Sequence, residues 1–192
     1  MKKFPLVFDL ETKHTFRDFT DPKKLGITVA AIFNYEDNEA KVFTEKEVSR
    51  LFPIFEKASY IIGYNVRNFD LAVLQAYYPG RVEVFPTFDI LEDIKEKICK
   101  RISLNYVISA TLAKKKTGHG LQAIDLFKEG KIDELKKYCL ADVMLTKELF
   151  EYGVKKGEIF YLNEKGKVTI KVDWKKYLKK EKTSDTPLTL PF

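Results

Sequence analysis

The chain has 192 residues, 45% of them hydrophobic, enough for one ordinary domain with a sizeable core, or for one domain with an appendage. No apolar run approaches the ~18–20 residues of a membrane span, and the apolar stretch from Phe4 to Phe8 ends at Asp9, too short for a secretory leader, so a cytoplasmic location without membrane contact is expected. The formal charge of +6 is uneven: residues 155–192 carry ten lysines and five acids, while the remainder carries 24 basic and 23 acidic side chains.

Phe4 to Leu10 is apolar almost throughout and predicts a strand buried on both faces. Ile27–Asn34 and Glu39–Thr44 predict two more strands, joined as a hairpin through Glu36-Asp37-Asn38. Glu45–Lys57 has helical spacing at Val48, Leu51, Ile54 and Phe55, with Thr44 as N-cap and Pro53 as a discordant residue. Tyr60–Tyr64 predicts a short strand. Asn68 predicts a cap for a helix through Asp70, Val73, Leu74 and Tyr77 that stops near Pro79-Gly80. Val84–Ile90 predicts a strand, Leu91–Lys115 two helical pieces, and Leu121–Phe127 a short helix after a Lys/Gly loop. Lys131–Val154 is the clearest helix, and Gly157–Trp174 predicts a hairpin turning at Asn163–Gly166. From Lys175 the chain is lysine-rich and runs through Thr183-Ser184-Asp185-Thr186-Pro187 into an expected flexible tail. Three antiparallel strands followed by alternating helices and strands make an α/β layered domain with a mixed sheet. The expected division is a domain over 1–154, a basic hairpin extension over 155–182 and a tail over 183–192.

The chemical signal lies in acids that stand where the pattern calls for apolar residues. Strand periodicity puts Asp9 and Glu11 on one face with Val7. Two such carboxylates repel and resist desolvation, and a divalent cation would relieve both costs; a pair of solvated acids at a strand exit is the other reading. In the long helix, Leu135, Tyr138, Asp142, Leu145 and Leu149 share a face at steps of three and four. Asp142 interrupts that stripe without Lys or Arg beside it, which suits a metal, or else a hydrogen bond with Tyr138 one turn earlier. Asp70 falls in a helical first turn, where the helix dipole alone favours an acid. Together Asp9, Glu11, Asp70 and Asp142 offer hard oxygen ligands from a strand, a helix start and a helix interior, a donor set suited to paired cations for phosphodiester hydrolysis.

These residues carry a family likeness. Phe8-Asp9-Leu10-Glu11-Thr12 resembles the first motif of the DEDD exonucleases, the DnaQ-like superfamily of proofreading domains with an RNase H-like fold. Asn65-Val66-Arg67-Asn68-Phe69-Asp70 resembles the second motif, Asn-x-x-x-Phe-Asp, and Tyr138-Cys139-Leu140-Ala141-Asp142 the third motif of the tyrosine subclass. Lys137 stands where the histidine subclass places its base. The resemblance covers residues 4–153. It implies an RNase H-like mixed sheet flanked by helices, with Asp9, Glu11, Asp70 and Asp142 holding two Mg²⁺ or Mn²⁺ ions and Tyr138 orienting the attacking water. It further implies Leu10, Thr12, Asn65 and Phe69 along the path of the 3′-terminal nucleotides, and 3′→5′ hydrolysis of DNA or RNA to nucleoside 5′-monophosphates. The chain is also similar to the YprB-type RNase H-like exonucleases, which often accompany helicases. There Asp89 would sit behind the metal ligands; equally it caps the next helix.

The alternatives are a structure-specific RNase H-like endonuclease and a non-catalytic nucleic-acid-binding module. Smaller features keep two readings each. The basic C-terminal segment suits a polyanion or a solvated lysine face. Lys114–Lys116 beside Gly118 and Gly120 suits phosphates or solvent, and His14 and His119 lie in predicted loops. Trp174 and Tyr177 suit packing or base stacking. Pro187–Phe192 faintly resembles sliding-clamp-binding peptides, with Pro187 at the position of their Gln. Cys99 and Cys139 lack metal-ligand spacing and are expected as buried, reduced thiols.

Overall fold

The computed structural model describes residues 2–114, 120–178 and 181–182. After a short β1 (Lys2–Lys3), the sheet is built from β2 (Leu6–Thr12), β3 (Ile27–Asn34), β4 (Glu39–Thr44), β5 (Ile61–Gly63) and β6 (Thr87–Asp89), in the spatial order β4-β3-β2-β5-β6. The β2–β3 and β3–β4 pairs are antiparallel, whereas β2–β5 and β5–β6 are parallel. This is the expected mixed sheet of the RNase H-like fold, three antiparallel strands followed by parallel ones. Helices cover both faces: α1 (Phe52–Lys57) and α2 (Asp70–Leu74) one, and α6 (Ile132–Lys156) the other, with α3 (Ile90–Ile98), α4 (Leu104–Leu112) and α5 (Gly120–Lys128) lying between α2 and α6 in the chain.

Strand β2 starts and ends two residues later than the apolar run predicts, so Asp9 and Glu11 lie inside it rather than at its exit. The cause is β3, which pairs with it from Leu6↔Asn34 to Thr12↔Ile27, with one register shift after Glu11. On the other side β5 pairs only at Leu6↔Ile61 and Val7↔Ile62. Alternation along β2 divides the core: Leu6, Phe8 and Leu10 pack with Leu51, Phe55 and Leu74, while Val7 packs with Cys139, Val143 and Phe150 of α6.

Other differences have local causes. Residues 45–57 are a 3₁₀ segment, Glu45–Leu51, that passes into α1. Pro53 stands in the first turn of α1, where its missing N–H costs no helical bond. Thr44 and Glu47 form the capping box. Helix α2 is preceded by Phe69, and the expected cap, Asn68, instead donates to Glu92 Oε1. The strand expected over 84–90 is shortened to β6 by a 3₁₀ turn at Val82–Val84. Cys99 is exposed rather than buried, because it closes α3 in the left-handed conformation (φ 53°); Cys139 is buried as expected.

The C-terminal hairpin, β7 (Glu158–Asn163) with β8 (Gly166–Lys171), matches the expectation. Ile159, Ile170, Val172 and Trp174 join the core beside α6. Trp174 is fully buried, lies parallel to Phe150 and donates Nε1–H to Asp93 Oδ2 at 2.9 Å. Gly153 on α6 makes room for it: a Cβ there would stand 2.2 Å from the indole. Tyr177, in α7 (Lys175–Leu178), stacks on Phe88 at 3.9 Å. Both aromatic rings are therefore packing residues. A last strand, β9 (Glu181–Lys182), pairs with β1. Lys114 pairs with Glu148, whereas the features predicted at Lys115–His119 and Pro187–Phe192 lie outside the described residues. Among the described residues no helix is long and apolar enough to cross a membrane.

Candidate metal centre

Strand β2 and helix α6 cross so that the acids of one meet the acid of the other. Carboxylate oxygens of Asp9, Glu11 and Asp142 lie within 4.8 Å of one another. Asp142 is 2% exposed and the other two are half-buried. Tyr138, one helical turn before Asp142, is 7% exposed. Between them on the helix, the Cys139 thiol contacts the Asp9 carbonyl at 3.6 Å and Asp9 Oδ2 at 3.9 Å. Burial first, and then the charge of Asp9, push this thiol well above its ordinary pKa, so it stays protonated and serves as packing and as a weak donor to Asp9.

The fourth acid arrives from the opposite layer. Because β5 ends at Gly63, the Leu10 N–H has no strand partner on that side and donates to Asp70 Oδ1 at 3.0 Å. That bond fixes the Asp70 carboxylate beside the residue flanked by Asp9 and Glu11. Asp70 is 2% exposed. Burial, followed by the negative charge of Asp9, raises its carboxyl well above the ordinary range, against the pull of the Leu10 N–H.

A turn between β5 and α2 sets this position. Gly63 has to lack a side chain, since a Cβ would meet Val66 Cβ at 2.6 Å and the Phe8 carbonyl at 2.9 Å. Asn65 is in the left-handed region, φ 65°, which Asn tolerates better than most residues. Asp89, 3% exposed, holds the turn: Oδ1 accepts from Asn65 N–H at 2.9 Å and Leu91 N–H at 3.0 Å, and Oδ2 from Arg67 N–H at 3.0 Å. Asp89 therefore caps α3 and clamps the loop leading to Asp70 with the same carboxylate. Burial raises its pKa, opposed by these N–H bonds.

Asp9, Glu11 and Asp142 floor a cavity of about 300 Å³ whose walls include Leu10, Thr12, Phe69, His14, Phe16 and Leu121; Asp70 is neither in its lining nor in the three-acid cluster. Leu10, Thr12 and Phe69, residues expected along the path of a strand, are among the residues lining this cavity. Asn65 does not line this cavity among the described residues; its Oδ1 accepts from Arg101 beside a neighbouring cavity of about 310 Å³. Sequence reasoning missed Phe16 and Leu121, which are 50% and 58% exposed. The available signal was an aromatic residue inside the polar run Thr15-Phe16-Arg17-Asp18. Phe16 is held rather than loose. Its ring meets Phe69 edge-on at 5.8 Å, and its loop is closed by Lys13 N–H to Gly26 O and His14 N–H to Leu25 O. Lys13 also pairs with Glu45 at 2.6 Å, and Glu45 accepts from Tyr77.

Carboxylate oxygens crowded this closely, one of them on a buried residue and two on half-buried ones, form a hard-donor set that a divalent cation would satisfy, and Asp9, Glu11 and Asp142 can coordinate one. The structure thus defines an RNase H-like α/β domain with a carboxylate cluster on its central strand. The sequence matches the RNase_H_2 family model, described as RNase_H superfamily, over residues 6–154, and the chain belongs to that family. No curated protein matches the sequence. Among solved structures, the chain is similar to the family B DNA polymerase from the hyperthermophilic archaeon Pyrobaculum calidifontis, at 17% identity and a TM-score of 0.61, over 79% of this chain and 24% of that one. It is also similar to E. coli ExoI in a zinc-bound ssDNA complex, at 16% identity and a TM-score of 0.52, over 81% of this chain and 41% of that one. The chain therefore spans less than half the length of either, and the likeness is one of fold.

Proposed function

We propose that the protein is a metal-dependent 3′→5′ exonuclease of the tyrosine DEDD type, acting on an unpaired 3′ end of DNA or RNA. The observation that carries this reading is the convergence of Asp9, Glu11 and Asp142 within 4.8 Å, on a strand and a helix distant in sequence. Asp9, Glu11 and Asp142 hold the cations, with Asp70 completing the donor set from the α2 side. Two Mg²⁺ or Mn²⁺ ions, when bound, supply activation of water and stabilisation of charge on the leaving oxygen. The Tyr138 hydroxyl orients the attacking water. Water adds to the terminal phosphorus and the bond to the 3′ oxygen of the preceding nucleotide breaks. That oxygen takes up a proton, releasing a nucleoside 5′-monophosphate and a shortened strand with a 3′-hydroxyl.

The rim supports a single-stranded substrate. Phe16, Phe69 and Leu121 offer apolar surface for bases directly above an acidic floor that holds phosphate only through cations. Asn65 contributes from outside this cavity, beside Arg101. The basic segment after Lys155 is suited to extend the path of the strand and Pro187–Phe192 to a sliding-clamp partner, while the YprB likeness suggests a helicase partner.

The test uses 3′-labelled and 5′-labelled oligonucleotides and a circular single strand, in Mg²⁺, Mn²⁺ and EDTA. The expected result is release of labelled mononucleotide from the 3′ end, ladders from the 5′ label, an intact circle, and loss of all cleavage with EDTA or Asp9→Ala. Cleavage of the circle would replace this reading with an endonuclease. Binding without cleavage under every metal condition would leave a non-catalytic module.

A further inference from the structure

A second cavity, about 600 Å³, opens beside α2 and shares no lining residue with the acid cavity. The helix separates the two: Asp70 reaches the Leu10 N–H on the acid side, while Leu71 and Ala72 line the second cavity. Its floor is apolar, formed by buried Leu71 and Val82. Its charged lining groups are Lys23, Arg67, Arg81 and Glu83, and with Glu92 paired to Arg67 beside it three cations stand against two carboxylates.

Arg67 is fixed in place. Its backbone N–H is held by Asp89, its Nη2 donates to the Thr87 carbonyl, and its Nε pairs with Glu92 at 3.1 Å. A guanidinium has five N–H donors in a rigid fork, so those contacts orient it and leave donors for a ligand. Lys23 has no ion pair among the described residues, and its backbone is pinned by Asp21 at 3.0 Å. Arg81 and Glu83 are exposed and 3.7 Å apart, a pair that an incoming dianion displaces at little cost.

Charge at the rim calls for an anion, and the volume with its apolar floor calls for a body larger than a bare oxyanion. Inorganic phosphate would leave the half-buried Pro22 and Ala72 and most of the volume wet, whereas a nucleoside would cover the one and fill the other. We propose that this cavity binds a nucleoside 5′-phosphate unit, with the phosphoryl group among Lys23, Arg67 and Arg81 and the base against Pro22 and Ala72, above the buried Leu71 and Val82. The unit is either a free mononucleotide or one nucleotide of a strand. The proposal goes beyond the nuclease reading and does not depend on cleavage.

Calorimetric titration of the full chain in EDTA tests it, because without cations the acid cavity repels phosphate. The probes are deoxyadenosine 5′-monophosphate, deoxyadenosine, inorganic phosphate and a ten-nucleotide oligomer. Saturable binding of the mononucleotide or the oligomer is expected, weakened about tenfold or more by combined Lys23→Glu and Arg81→Glu, a loss of the size carried by charge-assisted contacts. Displacement of the oligomer by mononucleotide assigns the site to the free ligand. Oligomer binding that mononucleotide does not displace, but that the double variant weakens, assigns it to a strand. Nucleoside and phosphate alone are each expected about tenfold weaker or worse than the nucleotide. Ala72→Trp fills the cavity and gives the same loss; the two charge reversals, at exposed positions, carry the test if that variant fails to fold. Absence of binding up to ~10 mM, equal binding by wild type and double variant, or phosphate binding as tight as the nucleotide overturns the proposal.

Discussion

Asp142→Asn removes one charge from a triplet whose ligand oxygens lie within 4.8 Å of one another. Two full charges that far apart repel by about 3–4 kcal/mol at an effective dielectric of about 20. Asp142 is 2% exposed, so solvent weakens this little on its side. Solvent reaching the half-buried Asp9 and Glu11 relieves part of the repulsion, which brings the expected gain to about 1–3 kcal/mol in the metal-free protein. Urea denaturation in EDTA and in Mn²⁺ measures it. Wild type gains stability from Mn²⁺ by mass action, about 2.7 kcal/mol at a hundredfold excess over Kd. The variant is expected to be the more stable protein in EDTA, to gain little from Mn²⁺, and to lose cleavage. A variant less stable than wild type in EDTA, or stabilised equally by Mn²⁺, refutes the claim that these acids are held in place for a cation.

Asp89→Asn leaves one acceptor oxygen where two accept from Asn65, Leu91 and Arg67, and costs about 1–3 kcal/mol of stability by the shift of the denaturation midpoint. An unshifted midpoint contradicts the clamp. Gly153→Ala drives a methyl against the buried indole of Trp174, with a loss of about 1–3 kcal/mol or more and a change in tryptophan emission. Phe16→Ala leaves stability within ~0.5 kcal/mol but weakens binding of a single strand in Ca²⁺ by about five- to hundredfold, the loss of ~1–3 kcal/mol of base stacking. Unchanged affinity removes Phe16 from the path of the strand.

Much of the site was legible because each half of it follows a simple period. Alternation alone puts Val7, Asp9 and Glu11 on one face of a strand, and steps of three and four put Tyr138 and Asp142 on the buried stripe of α6. What the sequence withholds is set by other elements. Strand β2 runs on through its acids because β3 pairs with them, and Asp70 reaches Leu10 because β5 stops early. Asp89 admitted two readings; the fold uses one carboxylate for the cap and also for the clamp, a combination visible only once β5 and β6 lie side by side. Asn68 has the chemistry of a cap but meets Glu92 instead, a tertiary choice that local propensity does not encode. Phe16 and Leu121 come from segments far apart in the chain, and no local pattern pairs them at one rim.

Carboxylates from β2, α2 and α6 are proposed to surround hard cations. A crystal soaked in Mn²⁺ and measured at the manganese edge tests this directly. Anomalous peaks within ~2–2.6 Å of oxygens from Asp9, Glu11 and Asp142, and a second peak that includes Asp9 or Asp70, are predicted. Manganese bound elsewhere with these four side chains untouched would contradict it.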